Sequence, residues 1–182
     1  MLGFLVFTSS NFIILFNVIK YLTLPLELLY NSVIIHYLLK GFKMLECLIV
    51  GDSIAVGTHM FAKECALVGK GGINTWQFNK NYAEKIQPAE TVIISLGSND
   101  HSGVHTFKEL MVTRQRVEGK RVFWILPAGN LKASGVDIKH IQDLVNIIAK
   151  NFGDTVLPIT KLQPDGIHPS WAGYKQLAEQ IK

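Results

Sequence analysis

A chain of 182 residues is long enough for one domain with a sizeable core and too short for two ordinary ones. It is 48% hydrophobic and 18% charged, with a net charge of +4. Three Lys and one Glu lie in residues 1–43, which leaves only about +2 for the remainder, too little for a nucleic-acid footprint, and no Lys/Arg run is interleaved with aromatics.

Residues 2–19 (LGFLVFTSSNFIILFNVI) carry no charge and approach the length that spans a bilayer core, although Thr8, Ser9, Ser10, Asn11 and Asn17 interrupt the apolar pattern. Residues 21–39 are apolar as well, broken by Pro25, Glu27 and His36. No basic residue precedes the stretch and no small-residue cleavage site follows it, which argues against a secretory signal peptide. Three readings of the apolar, helical segment 1–43 stand. It is a membrane anchor making contact through residues 2–39, an extension packed on the domain, or an over-extended start upstream of Met44. The compartment stays open with it: cytoplasmic, or membrane-associated if the anchor is genuine.

From Met44 onward short β-rich runs alternate with helical patterns, so residues 44–182 form the globular domain. Strands are expected at Leu45–Val50, Ala66–Val68, Thr91–Leu96, Arg121–Leu126 and Thr155–Ile159. Helices are expected at Ile54–Glu64, Asn74–Ile86, Val104–Val117, Asp137–Asn151 and Pro169–Ile181. Strands apolar on both faces and separated by helices imply a parallel sheet covered on both sides. Right-handed crossovers then give an α/β fold with a single doubly wound parallel sheet of about five strands, flavodoxin-like in architecture. The two cysteines, Cys47 and Cys65, lie in or beside apolar stretches and read as small core residues rather than a disulfide framework.

Such sheets bind ligands beyond the carboxyl ends of their strands, so residues directly after strands are the candidates. Gly51-Asp52-Ser53 follows the first strand; Gly51 permits a sharp turn, and Ser53 falls at the start of a helix, although Asp or Ser there also serves as an ordinary cap. The second strand leads into Gly69-Lys70-Gly71-Gly72-Ile73-Asn74-Thr75, whose glycines let backbone N–H groups approach a ligand but which lacks the spacing of a nucleotide cradle. Gly97-Ser98-Asn99-Asp100 follows the third strand, and an Asn amide at a strand tip can donate to a substrate oxygen. Asp165-Gly166-Ile167-His168-Pro169 follows the fifth strand. There a carboxylate can reach the imidazole Nδ1 while the other ring nitrogen faces a hydroxyl, and Pro169 suits the first turn of the last helix. No His/Cys/Asp cluster has metal-ligand spacing, and neither a metal nor a cofactor is expected.

These blocks resemble the SGNH or GDSL hydrolases in order and context. IVGDS at 49–53 matches the block that supplies the nucleophilic serine, SLGSND at 95–100 the block with the asparagine, and DGIHPSWAGY at 165–174 the block with acid and base. The GGINT run is the least specific; Gly72 matches its glycine, or Gly71 if the alignment slips by one. The resemblance covers about residues 44–182. It implies a three-layer α/β/α serine esterase acting on carboxylic esters, with O-acetyl groups on carbohydrate favoured as substrate, through Ser53, His168 and Asp165. Ser53, Gly72 and Asn99 would supply the oxyanion donors. The short spacings between blocks imply an open site without lid insertions. Acyl transfer by the same triad and a non-catalytic carbohydrate-binding role are the alternatives. His101 and His105 read as surface histidines near a substrate groove, and Trp76 and Trp171 as buried helix aromatics rather than sugar platforms.

Overall fold

A computed structural model describes residues 8–9, 12–13, 44–129 and 137–182. The chain divides into two compact units, Met1–Lys43 and Met44–Lys182. In the first unit the described residues form two short antiparallel strands, Thr8–Ser9 and Phe12–Ile13. At these positions the segment is extended rather than helical, consistent with the β preference of Thr, Phe and Ile. The anchor, packed-extension and late-start readings otherwise lie outside the described residues. Among the described residues no helix is long and apolar enough to cross a membrane.

The second unit is a five-stranded parallel sheet: β1 (Leu45–Gly51), β2 (Ala66–Gly69), β3 (Ala89–Ser95), β4 (Gly119–Leu126) and β5 (Thr155–Pro158). Its strand order, β2-β1-β3-β4-β5, is that of a doubly wound, flavodoxin-like sheet. The helices are α1 (Ser53–His59), α2 (Thr75–Asn81), α3 (Thr106–Arg116), α4 (Ile138–Phe152) and α5 (Trp171–Gln180). Alternation along the strands sorts them into two layers. Leu48, Val50, Val92, Ile94, Val122 and Trp124 pack with Phe78, Leu110, Val145 and Ile148 of α2, α3 and α4. The intervening Ile49, Ile93, Ile125 and Leu157 pack with Ile54, Ala55, Tyr174 and Leu177 of α1 and α5. Each strand residue points opposite to its neighbour, so strands apolar at every position need a cover on both faces.

Helix ends depart from expectation where local hydrogen bonds override periodicity. The first helix stops at His59, not Glu64. The chain turns through Phe61 N–H to Thr58 O and Cys65 N–H to Ala62 O, which returns it to the sheet edge. The second closes at Asn81 and is followed by a 3₁₀ turn, Ala83–Lys85. The last begins at Trp171 with Ser170 as its cap, so Pro169 precedes the helix instead of opening it.

The cysteine reading is overturned: Cys47 and Cys65 form a disulfide. β1 and β2 are neighbours, and Leu48 pairs with Ala66 in their register, so the preceding residues Cys47 and Cys65 face each other. That proximity is a property of the register and invisible in the spacing.

Candidate active site

Each strand-end turn is shaped by a specific local device. Gly51 ends β1 with φ +141°, and a Cβ there would lie 1.8 Å from the Ser95 carbonyl oxygen, so only glycine fits where β1 and β3 converge. Asp52 then caps α1 by accepting from the Ile54 N–H at 3.0 Å, and the half-buried Ser53 follows as the first helical residue. On the opposite rim, Leu162 pairs with Pro169, and the Gln163 N–H donates to His168 O at 2.8 Å. These bonds draw residues 161–170 into a tight loop. Inside it, Asp165 Oδ1 accepts from the Ile167 and His168 N–H groups at 2.9 and 3.0 Å, a turn typical of Asp.

The loop carries His168 to Ser53 across 115 positions. His168 Nε2 lies 2.9 Å from Ser53 Oγ, and His168 Nδ1 lies 2.7 Å from Asp165 Oδ2. Close packing of α1 on α5 supports this approach, because a Cβ on Gly57 would collide with the Tyr174 ring at 2.3 Å. Hydrogen bonds from the Ile167 N–H, the His168 side chain and the His168 N–H hold the Asp165 carboxyl down at about 2. It is therefore a carboxylate at neutral pH and accepts the Nδ1 proton. That assigns the Nε2 lone pair to the Ser53 hydroxyl.

Asn99 sits at the end of β3, partly buried, with Nδ2 donating to Ile73 O at 3.1 Å and to Asp52 Oδ2 at 3.5 Å. The Ile73 bond joins it to the loop that carries Gly71 and Gly72. Gly72 is exposed with φ +77°, whereas Gly71 is the glycine against the nucleophile: a Cβ on it would lie 3.8 Å from Ser53 Cβ. Both remain candidates for the backbone donor. Asn74 fixes the far end of this loop through a reciprocal cap with Gln77.

Two buried carboxylates were not singled out from sequence. Asp52 also accepts from Ser95 Oγ at 3.2 Å; Asp100 accepts from Thr75 N–H and Thr75 Oγ1, both at 2.8 Å, and from Thr106 Oγ1 at 2.7 Å. Burial pushes both carboxyls up, Asp52 to about 6. Their residue types are ordinary for caps and turns, so no sequence signal separates them from that role.

The four weaker candidates divide. His101 and His105 are exposed, as expected, and line an open cavity of about 740 Å³ between the starts of α3 and α4, with His140 and Phe107. Ser53 and His168 are not among the residues lining it. Trp76 and Trp171 are not buried: they are 50% and 70% exposed. Trp171 meets Phe61 edge-on, with ring centroids 4.5 Å apart, and Lys80 covers one side of Trp76. Each Trp lies at the start of its helix, on the outer surface, where the apolar stripe does not reach. Among the described residues no group of three or more His, Cys, Asp or Glu could hold a metal ion.

The chain has the three-layer α/β/α fold of the GDSL/SGNH hydrolases. Among solved structures it is similar to a protein assigned as an acylhydrolase from Bacteroides fragilis, with a TM-score of 0.59, 17% identity, and coverage of 78% of this chain and 89% of that one. It is also similar to the catalytic domain of peptidoglycan O-acetyltransferase A from Streptococcus pneumoniae, with a TM-score of 0.56, 14% identity and 76% and 90% coverage. A lipolytic protein of the G-D-S-L family from Veillonella parvula gives a TM-score of 0.54, 14% identity and 74% and 94% coverage. No protein-family model and no curated protein sequence matches the chain.

Proposed function

We propose that this protein is a serine esterase that cleaves carboxylic esters through an acyl-enzyme. The observation that carries the reading is the unbroken chain Ser53 Oγ, His168 Nε2, His168 Nδ1, Asp165 Oδ2, with links of 2.9 and 2.7 Å. Ser53 Oγ attacks the ester carbonyl carbon as His168 Nε2 takes its proton, and Asp165 stabilises the resulting imidazolium. The carbonyl oxygen becomes an oxyanion and accepts hydrogen bonds from the Ser53 N–H, a glycine N–H at 71–72 and the Asn99 amide. At 3.5 Å the Asn99 contact with Asp52 is the longer of its two, so the hydrogen on that side can be shared with the oxyanion while Asp52 still holds the amide. Collapse expels the alcohol, which receives its proton from His168. Water, deprotonated by the same imidazole, then releases the acid and restores Ser53.

A small acyl group on carbohydrate is the substrate this reading favours. Two exposed indoles support it, on helices that begin just past the Gly72 loop and the His168 loop, since a tryptophan face can stack on a sugar ring. Likeness to an O-acetyltransferase domain supports a second outcome of the same acyl-enzyme, transfer to a sugar hydroxyl in place of water. The test is p-nitrophenyl acetate turnover by the full chain beside Ser53→Ala, with a fluorophosphonate probe on both. Turnover and labelling in the wild type, with both lost in the variant, is the expected result. Equal turnover by the two proteins would sink the reading. Free acetate measured against acetylated oligosaccharide separates hydrolysis from transfer.

A further inference from the structure

Asp52 has two carboxylate oxygens, and only one of them is accounted for by the helix it caps. Oδ1 accepts from the Ile54 N–H at 3.0 Å and from Ser95 Oγ at 3.2 Å; Oδ2 accepts from Asn99 Nδ2 at 3.5 Å. The side chain is fully buried, and among the described residues no Lys or Arg forms an ion pair with it. Capping needs one oxygen, which a neutral Ser or Asn supplies without burying a charge. The second oxygen therefore calls for another explanation.

Asn99 provides it. The two ends of a side-chain amide have nearly the same shape, so which end faces a site is decided by the partners around it. Here both partners of Asn99 are acceptors, Ile73 O and Asp52 Oδ2, and only the NH₂ end satisfies them. The opposite orientation would aim the amide oxygen at two other oxygens and leave no donor for an oxyanion. We infer that Asp52 is a positioning residue for the acyl-transfer site, its second carboxylate oxygen holding the Asn99 amide with the N–H end toward the substrate carbonyl. The inference rests on the esterase reading of Ser53, His168 and Asp165. Burial, which pushes the Asp52 carboxyl up to about 6, makes this carboxylate costly to keep as a mere cap.

Asp52→Asn isolates the contact. The new amide oxygen can still cap Ile54 and accept from Ser95, but the new NH₂ replaces Oδ2 and meets the NH₂ of Asn99, donor against donor. For p-nitrophenyl acetate the expected kcat loss is about 10–100-fold, the scale of a hydrogen bond to a charged group, with KM within about two-fold. The denaturant midpoint should equal or exceed that of the wild type, so the kcat loss is not a loss of folded protein. In an Asn99→Ala background the same substitution should cost less than about two-fold, because its target is gone. Equal losses in both backgrounds overturn the inference, as does a loss below about three-fold beside an intact Asn99, or one that merely follows a lowered midpoint. A wild type without Ser53-dependent turnover sinks the esterase reading, and this inference with it. Additivity in an active wild type sinks this inference alone.

Discussion

The two ends of the sheet bury carboxylates in opposite ways. At the amino end, Asp154 precedes β5 and meets Arg114 of α3 through two bonds of 2.6 and 2.8 Å, with the Trp124 indole N–H donating at 2.9 Å. Its charge is matched, and both side chains are nearly excluded from water. At the carboxyl end, Asp52 and Asp100 are equally buried but are held by hydroxyl, amide and backbone donors, and among the described residues neither forms an ion pair with a Lys or Arg. A paired charge closes the base of the fold, where α3 and α4 meet the sheet. Carboxylates held only by neutral donors order the loops that carry Ser53, Gly72 and Asn99. One end is closed by a matched charge; the other holds polar groups in register at the mouth of the sheet.

That contrast predicts a separation of phenotypes. The largest effect belongs to Ser53→Ala: activity should fall about 10⁴–10⁶-fold while circular dichroism and the unfolding midpoint stay as in the wild type. Arg114→Met should do the reverse, leaving Asp154 buried and unpaired. A loss of about 3–5 kcal/mol in urea unfolding, with unchanged turnover per folded molecule, is expected. If that variant instead loses kcat while keeping its stability, the two ends are not separate. Asn99→Ala should lower kcat about 10²–10³-fold, equivalent to roughly 3–4 kcal/mol in the barrier. Reducing the Cys47–Cys65 bridge, which closes a separation of 18 residues, should cost about 3 kcal/mol of stability, read as a lower midpoint with dithiothreitol.

The smallest effect sharpens the comparison most. Asp52 has a folded pKa of about 6, above its ordinary 3.8, so the folded state binds the proton more tightly than the unfolded chain does. Its contribution to stability is present in full below 3.8 and is lost as pH rises through 6. Tyr174 faces the same region, but burial, then the charges of Asp52 and Asp165, push its hydroxyl to about 12, outside this window. Between pH 5.5 and 7 the wild type should therefore lose about 1 kcal/mol that Asp52→Asn retains. Parallel stability curves for the two proteins would contradict the buried-charge account.

Much of the fold was legible because parallel strands need a cover on both faces and show it as unbroken apolar runs; Ile49, Val50, Ile93 and Ile94 are such positions, all buried. The candidate site was legible for a related reason: chemistry at the mouth of such a sheet must follow its strands, and Ser53, Asn99 and His168 all do. Helix ends were less so, because Asn74, Ser170 and the turns after His59 act through single hydrogen bonds that periodicity does not record. The exposure of Trp76 and Trp171 was missed because a helical stripe shows that a helix is amphipathic, whereas exposure depends on what lies beside its first turn.

Element order, the parallel doubly wound sheet and the chemical types at its mouth are all readable along the chain, since each is written in local composition and period. That Cys47 bonds Cys65, that Gly71 rather than Gly72 lies against Ser53, and that Asp52 reaches Asn99 across 47 positions emerged from the folded chain alone. Those relations depend on strand register and loop closure, where a shift of one residue changes every partner and leaves the local pattern untouched.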